Sequence, residues 1–310
     1  MVFHTYCDKR EPPVPEDMRA PVETPVLLDF LTCCAGLYSG SAAKNYVYGV
    51  KAWHTVHALP WRVDENQLTA ALSAVEKMTP PSSRRPKRHP VTVDWLCKVA
   101  GQLDMSKPLD VAVFACLTTV FWSVSRLGEF VVPSVDSFDP AAHITRSCVS
   151  QGTEGRLGLP VTTFNLPRTK KAPNGEPAQW SSQRGATDPE AALAAHFTIN
   201  NPGENDHLFA WRSTGNKLVP LSRRTFFRRV ERAVAAAGLE SMNGHGLRIG
   251  GVLEFLLRGV SFEVVKVLGR WSSDAFLLYL RKHGAILAPY IQDTPVLEPF
   301  TRIAMPSRIR

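Results

Sequence analysis

A short β-rich stretch inside an otherwise helix-patterned chain is the feature that most constrains the fold. Three strand-like patterns lie between residues 143 and 182: Ile144 to Val149, Leu159 to Leu166 and Gln179 to Ser181. Turn signals at 152–155 and 172–175 separate them. On both sides of this stretch, apolar residues recur at helical spacing. The sequence therefore predicts a mainly α-helical protein that holds a small three-stranded antiparallel sheet.

Three helical patterns precede residue 80. Val26 to Leu37 is largely apolar, Ser41 can cap a helix that runs to about Leu59, and Asp64 can cap the next one. Four residues of the middle pattern share one predicted inner face: Tyr46, Val50, Trp53 and His57. These patterns predict a small helical domain.

A basic segment follows this domain. Pro80 and Pro81 break the helical pattern, and we interpret the segment as an interdomain linker. Its basic residues are Arg84, Arg85, Lys87 and Arg88. A solvated hinge, a strap on a phosphate backbone and a nuclear-import signal are the alternatives for this run.

Charge is unevenly spread along the chain. Residues 1–80 carry 7 Lys and Arg against 9 Asp and Glu, a net of −2, while residues 81–310 carry 29 against 19, a net of +10. A basic region of this size favours a polyanionic partner, most often nucleic acid, and a soluble protein of high pI is the plainer alternative.

The six cysteines and the apolar runs exclude other classes. No cysteine pair has C-x-x-C spacing, so we expect a reduced intracellular protein without disulfides or structural metal. The longest apolar run, Val111 to Val124, is too short to cross a bilayer and predicts a buried helix. The polar, proline-rich first residues are unlike a secretory signal.

Residues with chemical potential cluster after position 244. His245 and Arg248 are three apart and share a helix face close to its N-terminus, where an anion is favoured. Gly269-Arg270-Trp271 and then Tyr279 follow. Taken alone, H-x-x-R is more often a surface pair.

With two upstream motifs, this cluster resembles the tyrosine recombinase family of phage integrases, chromosome-dimer resolvases and some eukaryotic transposons. That family has R-x-x-E, a Lys on a β-hairpin, H-x-x-R, Gly-x-His or Gly-x-Trp, and a nucleophilic Tyr, in this order. Here Arg126 to Glu129 and Pro167 to Lys170 supply the first two motifs. The resemblance covers most of residues 40–290, and the amino-acid sequence of residues 269–276 looks closest to that of Crypton-like transposon recombinases.

The resemblance implies the central roles. Arg126 and Arg248 would hold the two non-bridging oxygens of a phosphodiester and stabilise the added negative charge of the pentacoordinate centre. Tyr279 would attack phosphorus and retain the DNA as a 3′-phosphotyrosine ester, so that rejoining needs neither ATP nor a metal or other cofactor.

Supporting roles follow in the same way. Lys170, with Lys171 as a rival, would protonate the leaving 5′-oxygen from the hairpin. His245 would assist proton transfer or bind the phosphate, and Trp271 would supply an indole N–H and a packing face. Glu129 would orient a guanidinium. The alternatives are structural. Glu129 could form a plain helix-surface pair, Lys170 could only make the hairpin soluble, and Trp271 could be a core aromatic residue.

The nucleophile has an unusual spacing. In the family the Tyr follows the His/Trp position by nine residues, whereas Tyr279 follows Trp271 by eight. One residue turns a helical side chain by about 100°. Tyr290 is the rival, but it is nineteen residues beyond Trp271 and follows Pro289, which would break a helix.

Other basic residues are predicted DNA contacts. A helix capped by Ser222 also carries Arg223 and Arg229, and it aligns three arginines along its length: Arg224, Arg228 and Arg232. In the N-terminal domain, Lys44 and Lys51 lie opposite the predicted apolar stripe. A generic basic helix face is the alternative.

The sequence thus predicts a site-specific recombinase or integrase on duplex DNA, acting as a DNA-dependent tetramer and located in the nucleus. The predicted segments are an extended tail (1–24), a helical core-binding domain of SAM-like type (25–79), a basic linker (80–90), an α+β catalytic domain (91–292) and a C-terminal tail (293–310). A catalytically silent DNA-binding descendant and a type IB topoisomerase are the alternatives.

Overall fold

The computed structural model describes residues 2–83, 89–289 and 291–292, without the side chains of Asp274, Ala275 and Leu278. The chain divides into two compact units, residues 1–87 and 88–310. The division falls in the segment predicted as a linker. Arg84 to Arg88, Tyr290 and the tail 293–310, all of which carry predictions, lie outside the described residues.

The first unit is helical. Its helices are α1 Val2–Lys9, α2 Glu16–Arg19, α3 Thr24–Cys34, α4 Gly40–Val56 and α5 Glu65–Lys77, followed by a short 3₁₀ turn, Pro81–Ser83. Side-chain caps fix two of the starts: Ser39 accepts from the Ala42 N–H and Asp64 from the Gln67 N–H. The first of these caps is Ser39 and not the predicted Ser41.

The prediction of an extended tail over residues 1–24 is wrong for its two helical parts. Phe3 and Cys7 of α1 are four apart, lie on one face and are buried in the core of this unit. The Phe3 ring packs edge-on against Phe30 at 5.5 Å between centroids. Buried apolar contact of this kind orders a short helix that its proline-rich surroundings obscured.

The inner face of α4 also differs from the prediction. Its buried residues are Gly40, Ala43, Val47, Val50 and His54, and Trp53 and His57 are exposed. His54 can be buried because its Nε2 accepts the Val22 N–H at 2.8 Å and its Nδ1 lies 2.9 Å from the Val50 carbonyl oxygen. The predicted face did not include His54 and was therefore turned away from the buried one.

The second unit contains seven helices among its described residues, together with two small sheets. The helices are α6 Val93–Ala100, α7 Pro108–Trp122, α8 Pro189–Asn200, α9 Arg223–Ala236, α10 Gly244–Leu257, α11 Phe262–Leu268 and α12 His283–Leu287. Short 3₁₀ turns lie at Leu127–Glu129, Val135–Ser137, Arg146–Cys148 and Asp274–Tyr279. None of the helices in the described part of the chain is long and apolar enough to cross a membrane.

The predicted three-stranded antiparallel sheet is present. Its strands are β1 Val149–Glu154, β2 Leu159–Leu166 and β3 Glu176–Trp180, in the order β1-β2-β3. Phe164 lies opposite both Val149 and Ala178, so its side chain faces the core from the central strand. Strand β1 begins at Val149, where the predicted strand ended. Residues 152–154, which were predicted as part of a turn, pair with β2, and the turn follows them. A two-stranded sheet, β4 Trp211–Arg212 with β5 Leu218–Val219, was not predicted.

Helix α7 is the centre of the second unit. All of its residues from Asp110 to Trp122 are buried, which explains why its sequence is apolar on every side. Helix α10 packs closely on the C-terminal end of α7 through two glycines. A Cβ at Gly250 would overlap the Val91 carbonyl group, and one at Gly251 would overlap the Phe121 carbonyl oxygen. This close approach places the start of α10 beside the loop that leaves α7.

The substitution Gly250→Ala is expected to lower the free energy of unfolding of this unit by about 3 kcal/mol, since the overlap is with backbone and no rotamer can relieve it. Chemical denaturation followed by near-UV circular dichroism measures the change. Gly49→Ala in α4 is the matched control. No atom lies within 4 Å of its Cβ, so it should add about 1 kcal/mol through helix propensity. Equal stability of Gly250→Ala and wild type would contradict this role.

Candidate active site

The loop after α7 presents the first arginine. Arg126 precedes the 3₁₀ turn Leu127–Glu129, and Glu129 binds it twice: Oε2 accepts the Arg126 backbone N–H at 3.0 Å and Oε1 accepts from Nη1 at 2.9 Å. Only 6% of the Glu129 side chain is exposed. The carboxylate therefore orients the Arg126 guanidinium, whose side chain remains 24% exposed.

The second arginine is buried. Arg248, in the first turns of α10, is 1% exposed, and its Nη2 donates to the Gly269 carbonyl oxygen. Its Nε and Nη1 are buried and have no hydrogen-bond partner among the described residues. Burial, and then the positive charge of Arg126, lower the pKa of Arg248 to about 10. The group stays charged at neutral pH, with two donors unsatisfied.

Two rings lie against this guanidinium, and a third stacks on one of them. Its carbon lies 4.0 Å from the ring centroid of Trp271 and 5.4 Å from that of Tyr279. The Tyr279 ring packs on Trp271 at 5.1 Å and stacks with His245 at 6.3 Å and 13°. The structure thus brings together four residues that the sequence distributes over 35 positions, and the eight-residue spacing does not keep Tyr279 away from Arg248.

Gly269 explains part of this packing. Any Cβ at this position would overlap the six-membered ring of Trp271, so the glycine leaves room for the indole. Trp271 is 7% exposed and shares a small apolar cluster with Phe276 and Leu280. The tryptophan is therefore both a core residue and one wall of the site.

The β2–β3 hairpin carries the two candidate lysines. Lys171 donates to the Ser272 hydroxyl at 3.2 Å, next to Trp271. Lys170 is exposed and makes no hydrogen bond or ion pair with the residues that the structure describes. The hairpin is closed by Thr169, which donates to Glu176 at 2.7 Å.

A third arginine, to which the sequence reasoning assigned no role, enters the site. Arg270 donates from Nη2 to Glu129 Oε2 at 2.5 Å, so one carboxylate bridges Arg126 and Arg270. Its φ of +58° is rare for a residue with a side chain. The available signal was an arginine inside the Gly269–Trp271 motif, but sequence alone could not show where its side chain points.

The predicted DNA contacts differ in their surroundings. Arg224, Arg228 and Arg232 are exposed along α9. In contrast, Arg229 on the same helix forms a two-bond ion pair with the buried carboxylate of Asp110, at 2.5 and 2.7 Å, and is structural.

In the first unit, Lys51 pairs with Glu65 at 2.5 Å and lies 5.2 Å from the Trp61 ring centroid, so part of its charge is already neutralised. Lys44 is exposed, with its ammonium 5.7 Å from the Tyr48 ring centroid. Lys44 is therefore the more available of the two for DNA.

This arrangement can bind a tetrahedral oxyanion. It offers guanidinium donors, a phenol and an imidazole within one small region, and a phosphate group matches such donors in charge and geometry. In the part of the chain that the structure describes, no group of three or more His, Cys, Asp or Glu residues is placed to hold a metal ion.

The fold of this chain is similar to that of solved structures. The XerH site-specific recombinase, in a post-cleavage complex with a palindromic difH substrate, matches 90% of this chain and 72% of its own at 17% identity, with a TM-score of 0.55. XerA recombinase (15% identity, 73% and 72% covered, TM-score 0.43) and FLP recombinase in a Holliday-junction complex (12%, 67% and 48%, TM-score 0.40) are also similar. The chain spans about half the length of the FLP chain.

The chain therefore has the tyrosine recombinase fold, mainly helical with a small antiparallel sheet. Neither the models of protein families nor the sequences of curated proteins match it.

Proposed function

We propose that this protein is a site-specific DNA recombinase that breaks and rejoins DNA through a 3′-phosphotyrosine intermediate without metal or ATP. One observation carries the proposal: Arg248 is buried beside Arg126 and against the ring of Tyr279, and two of its guanidinium donors have no hydrogen-bond partner among the residues that the structure describes. An unpaired buried cation is costly and is retained where an anion binds.

The mechanism follows from the roles of these side chains. Arg126 and Arg248 bind the non-bridging oxygens and stabilise the charge that develops on them. The phenolic oxygen of Tyr279 forms a bond to phosphorus while the bond to the 5′-oxygen breaks. The phenolic proton leaves towards His245, whose ring stacks on Tyr279, and a lysine of the hairpin protonates the 5′-oxygen. Attack by a 5′-hydroxyl reverses the steps and rejoins a strand.

The finer parts of the proposal concern partners. The arginines of α9 would contact the DNA backbone outside the active site, and recombination between two sites would require a DNA-dependent tetramer. The amino-acid sequence of residues 269–276 supports an origin in a mobile element of the Crypton-like kind. Together with the basic run at 84–88, it also supports a nuclear location.

Covalent trapping tests the proposed chemistry. The full chain is incubated with a library of nicked duplexes of random sequence. After cleavage, the short fragment that carries the free 5′-hydroxyl diffuses away, and its loss prevents rejoining. Protein-linked DNA is recovered under denaturing conditions, and peptide mapping locates the bond. We expect an adduct on a 3′-phosphate at Tyr279. A protein that binds duplexes but forms no adduct would be the silent descendant, and relaxation of plasmid without site preference would indicate a topoisomerase.

Lys170 is expected to be the proton donor, because Lys171 is already bound to Ser272 while the Lys170 ammonium is exposed. Lys170→Ala should slow cleavage by about 10²-fold or more. On a duplex with sulfur in place of the bridging 5′-oxygen, the leaving group needs no proton and the loss should disappear. Lys171→Ala is the matched control. Rescue of Lys171→Ala instead of Lys170→Ala would reverse the assignment.

A further inference from the structure

The Arg270 side chain is poorly satisfied where it lies. Only 9% of it is exposed, and Nη2 is shared between Glu129 and the Ser125 hydroxyl at 2.5 and 3.3 Å. Its Nε and Nη1 are buried and have no hydrogen-bond partner within residues 2–83, 89–289 and 291–292. Glu176 is 3.9 Å from Nε, an ion-pair distance that is too long for a hydrogen bond. Two donors therefore remain available.

The described residues do not balance the charge of this cluster. Burial, and then the positive charges of Arg126 and Arg270, lower the pKa of Arg248. Glu129 neutralises one of the three, and Glu176 stands further from Arg270. Positive charge of this density in a buried region is stabilised by an anion, and a phosphodiester gains negative charge as its phosphorus becomes pentacoordinate.

The position of Arg270 in the chain supports the same role. It precedes Tyr279 by nine residues, the spacing of the His/Trp position in recombinases, whereas Trp271 precedes it by eight. The face of the Trp271 indole is already occupied by Arg248. Arg270 is also the left-handed residue that ends α11, where the Trp271 N–H bonds to the Lys266 carbonyl oxygen, and from this position its side chain reaches Glu129.

We propose that Arg270 is a catalytic residue whose guanidinium donates to a non-bridging oxygen of the scissile phosphate, in the place filled by His or Trp in the family that this chain resembles. The proposal rests on the proposed recombinase function. Trp271 then serves to pack Arg248 and Tyr279, and three guanidiniums, not two, surround the phosphate. The carboxylate of Glu129 accepts hydrogen bonds from both Arg126 and Arg270 and fixes their guanidiniums relative to each other.

Removing the charge of the phosphate provides the direct test. Arg270→Ala should slow adduct formation by about 10²- to 10³-fold on an ordinary nicked duplex. On a duplex with a neutral methylphosphonate at the cleavage point, the loss should fall below about tenfold, because a cation is no longer needed there. Trp271→Phe should slow adduct formation by the same factor on both duplexes. Equal losses for Arg270→Ala on the two duplexes would mean that it acts only through Glu129, and would overturn the proposal.

A second variant guards against misfolding. Glycine adopts the left-handed geometry at position 270 without strain, so Arg270→Gly removes the side chain and relieves the backbone. It should show the same methylphosphonate rescue with an unchanged or higher melting temperature. Loss of the fold in both variants would instead assign Arg270 a structural role and overturn the proposal.

Binding of inorganic phosphate separates this inference from the function on which it rests. In titration calorimetry, Arg270→Ala should bind phosphate at least tenfold more weakly than wild type. Arg156→Ala, an exposed arginine in the β1–β2 turn, should bind as wild type does. A wild type that forms no adduct defeats the proposed function alone, while phosphate binding that is indifferent to Arg270 defeats the inference alone.

Discussion

Tyr279→Phe is expected to abolish the covalent protein–DNA adduct, while Tyr290→Phe leaves its yield unchanged. The phenolic oxygen is the nucleophile in the proposed reaction, and phenylalanine offers no atom that can bond to phosphorus. Nicked duplexes recovered by the trapping experiment are the substrate, and denaturing gels measure the adduct. The expected loss is complete, whereas loss of a supporting donor leaves residual activity.

The packing of Tyr279 makes this substitution conservative. Its ring contacts Trp271, His245 and Arg248, and all of these contacts involve the ring and not the hydroxyl. Tyr279→Phe should therefore fold and bind duplex DNA like wild type. An adduct that survives in Tyr279→Phe and disappears in Tyr290→Phe would transfer the role of nucleophile and show that the eight-residue spacing is inactive.

Arg248→Met should slow cleavage severely and yet stabilise the fold. Loss of a guanidinium that holds the phosphate should slow adduct formation by about 10³-fold or more. In phosphate-free buffer, however, the free energy of unfolding should rise by about 1–2 kcal/mol, because methionine removes a buried charge, two unpaired donors and repulsion from Arg126. The lost stacking on Trp271 offsets part of this gain.

Added phosphate should reverse the order of stability. Saturating inorganic phosphate stabilises a protein that binds it, so wild type should gain melting temperature and Arg248→Met should not. Differential scanning calorimetry with and without phosphate measures both changes, with Arg156→Met as an exposed control. A lower stability of Arg248→Met in phosphate-free buffer would show that the arginine is a structural residue.

Much of the fold could be predicted because its signals are local. Asp64 and Ser222 cap helices as predicted, and β2 has the predicted bounds. The order of motif residues from Arg126 to Tyr279 was also sufficient to indicate the fold class. The missed helix α1 and the shifted face of α4 depended on burial of Phe3 and His54 against distant residues, which no local pattern contains.

The candidate site was only partly predictable. His245 and Arg248 were recognisable from the order of the motifs around them, but the burial of Arg248 and its packing on Trp271 were not. The bridging role of Glu129 became visible only with Arg270, which is 141 residues away in sequence. Arg229 resembled its exposed neighbours on α9 until its pairing with Asp110, 119 residues away, was known.

The sequence by itself determined the helices, the small sheet and the order of the chemical residues, since periodicity, caps and turns act over a few residues. Tertiary structure alone decided which arginines are desolvated and converge on one place. Gly250 and Gly251 let α10 approach α7 closely. Arg270, whose own backbone is left-handed, donates a hydrogen bond to Glu129. The reason is physical: a charged side chain changes its role when it loses water, and water is excluded by contacts between distant parts of the chain.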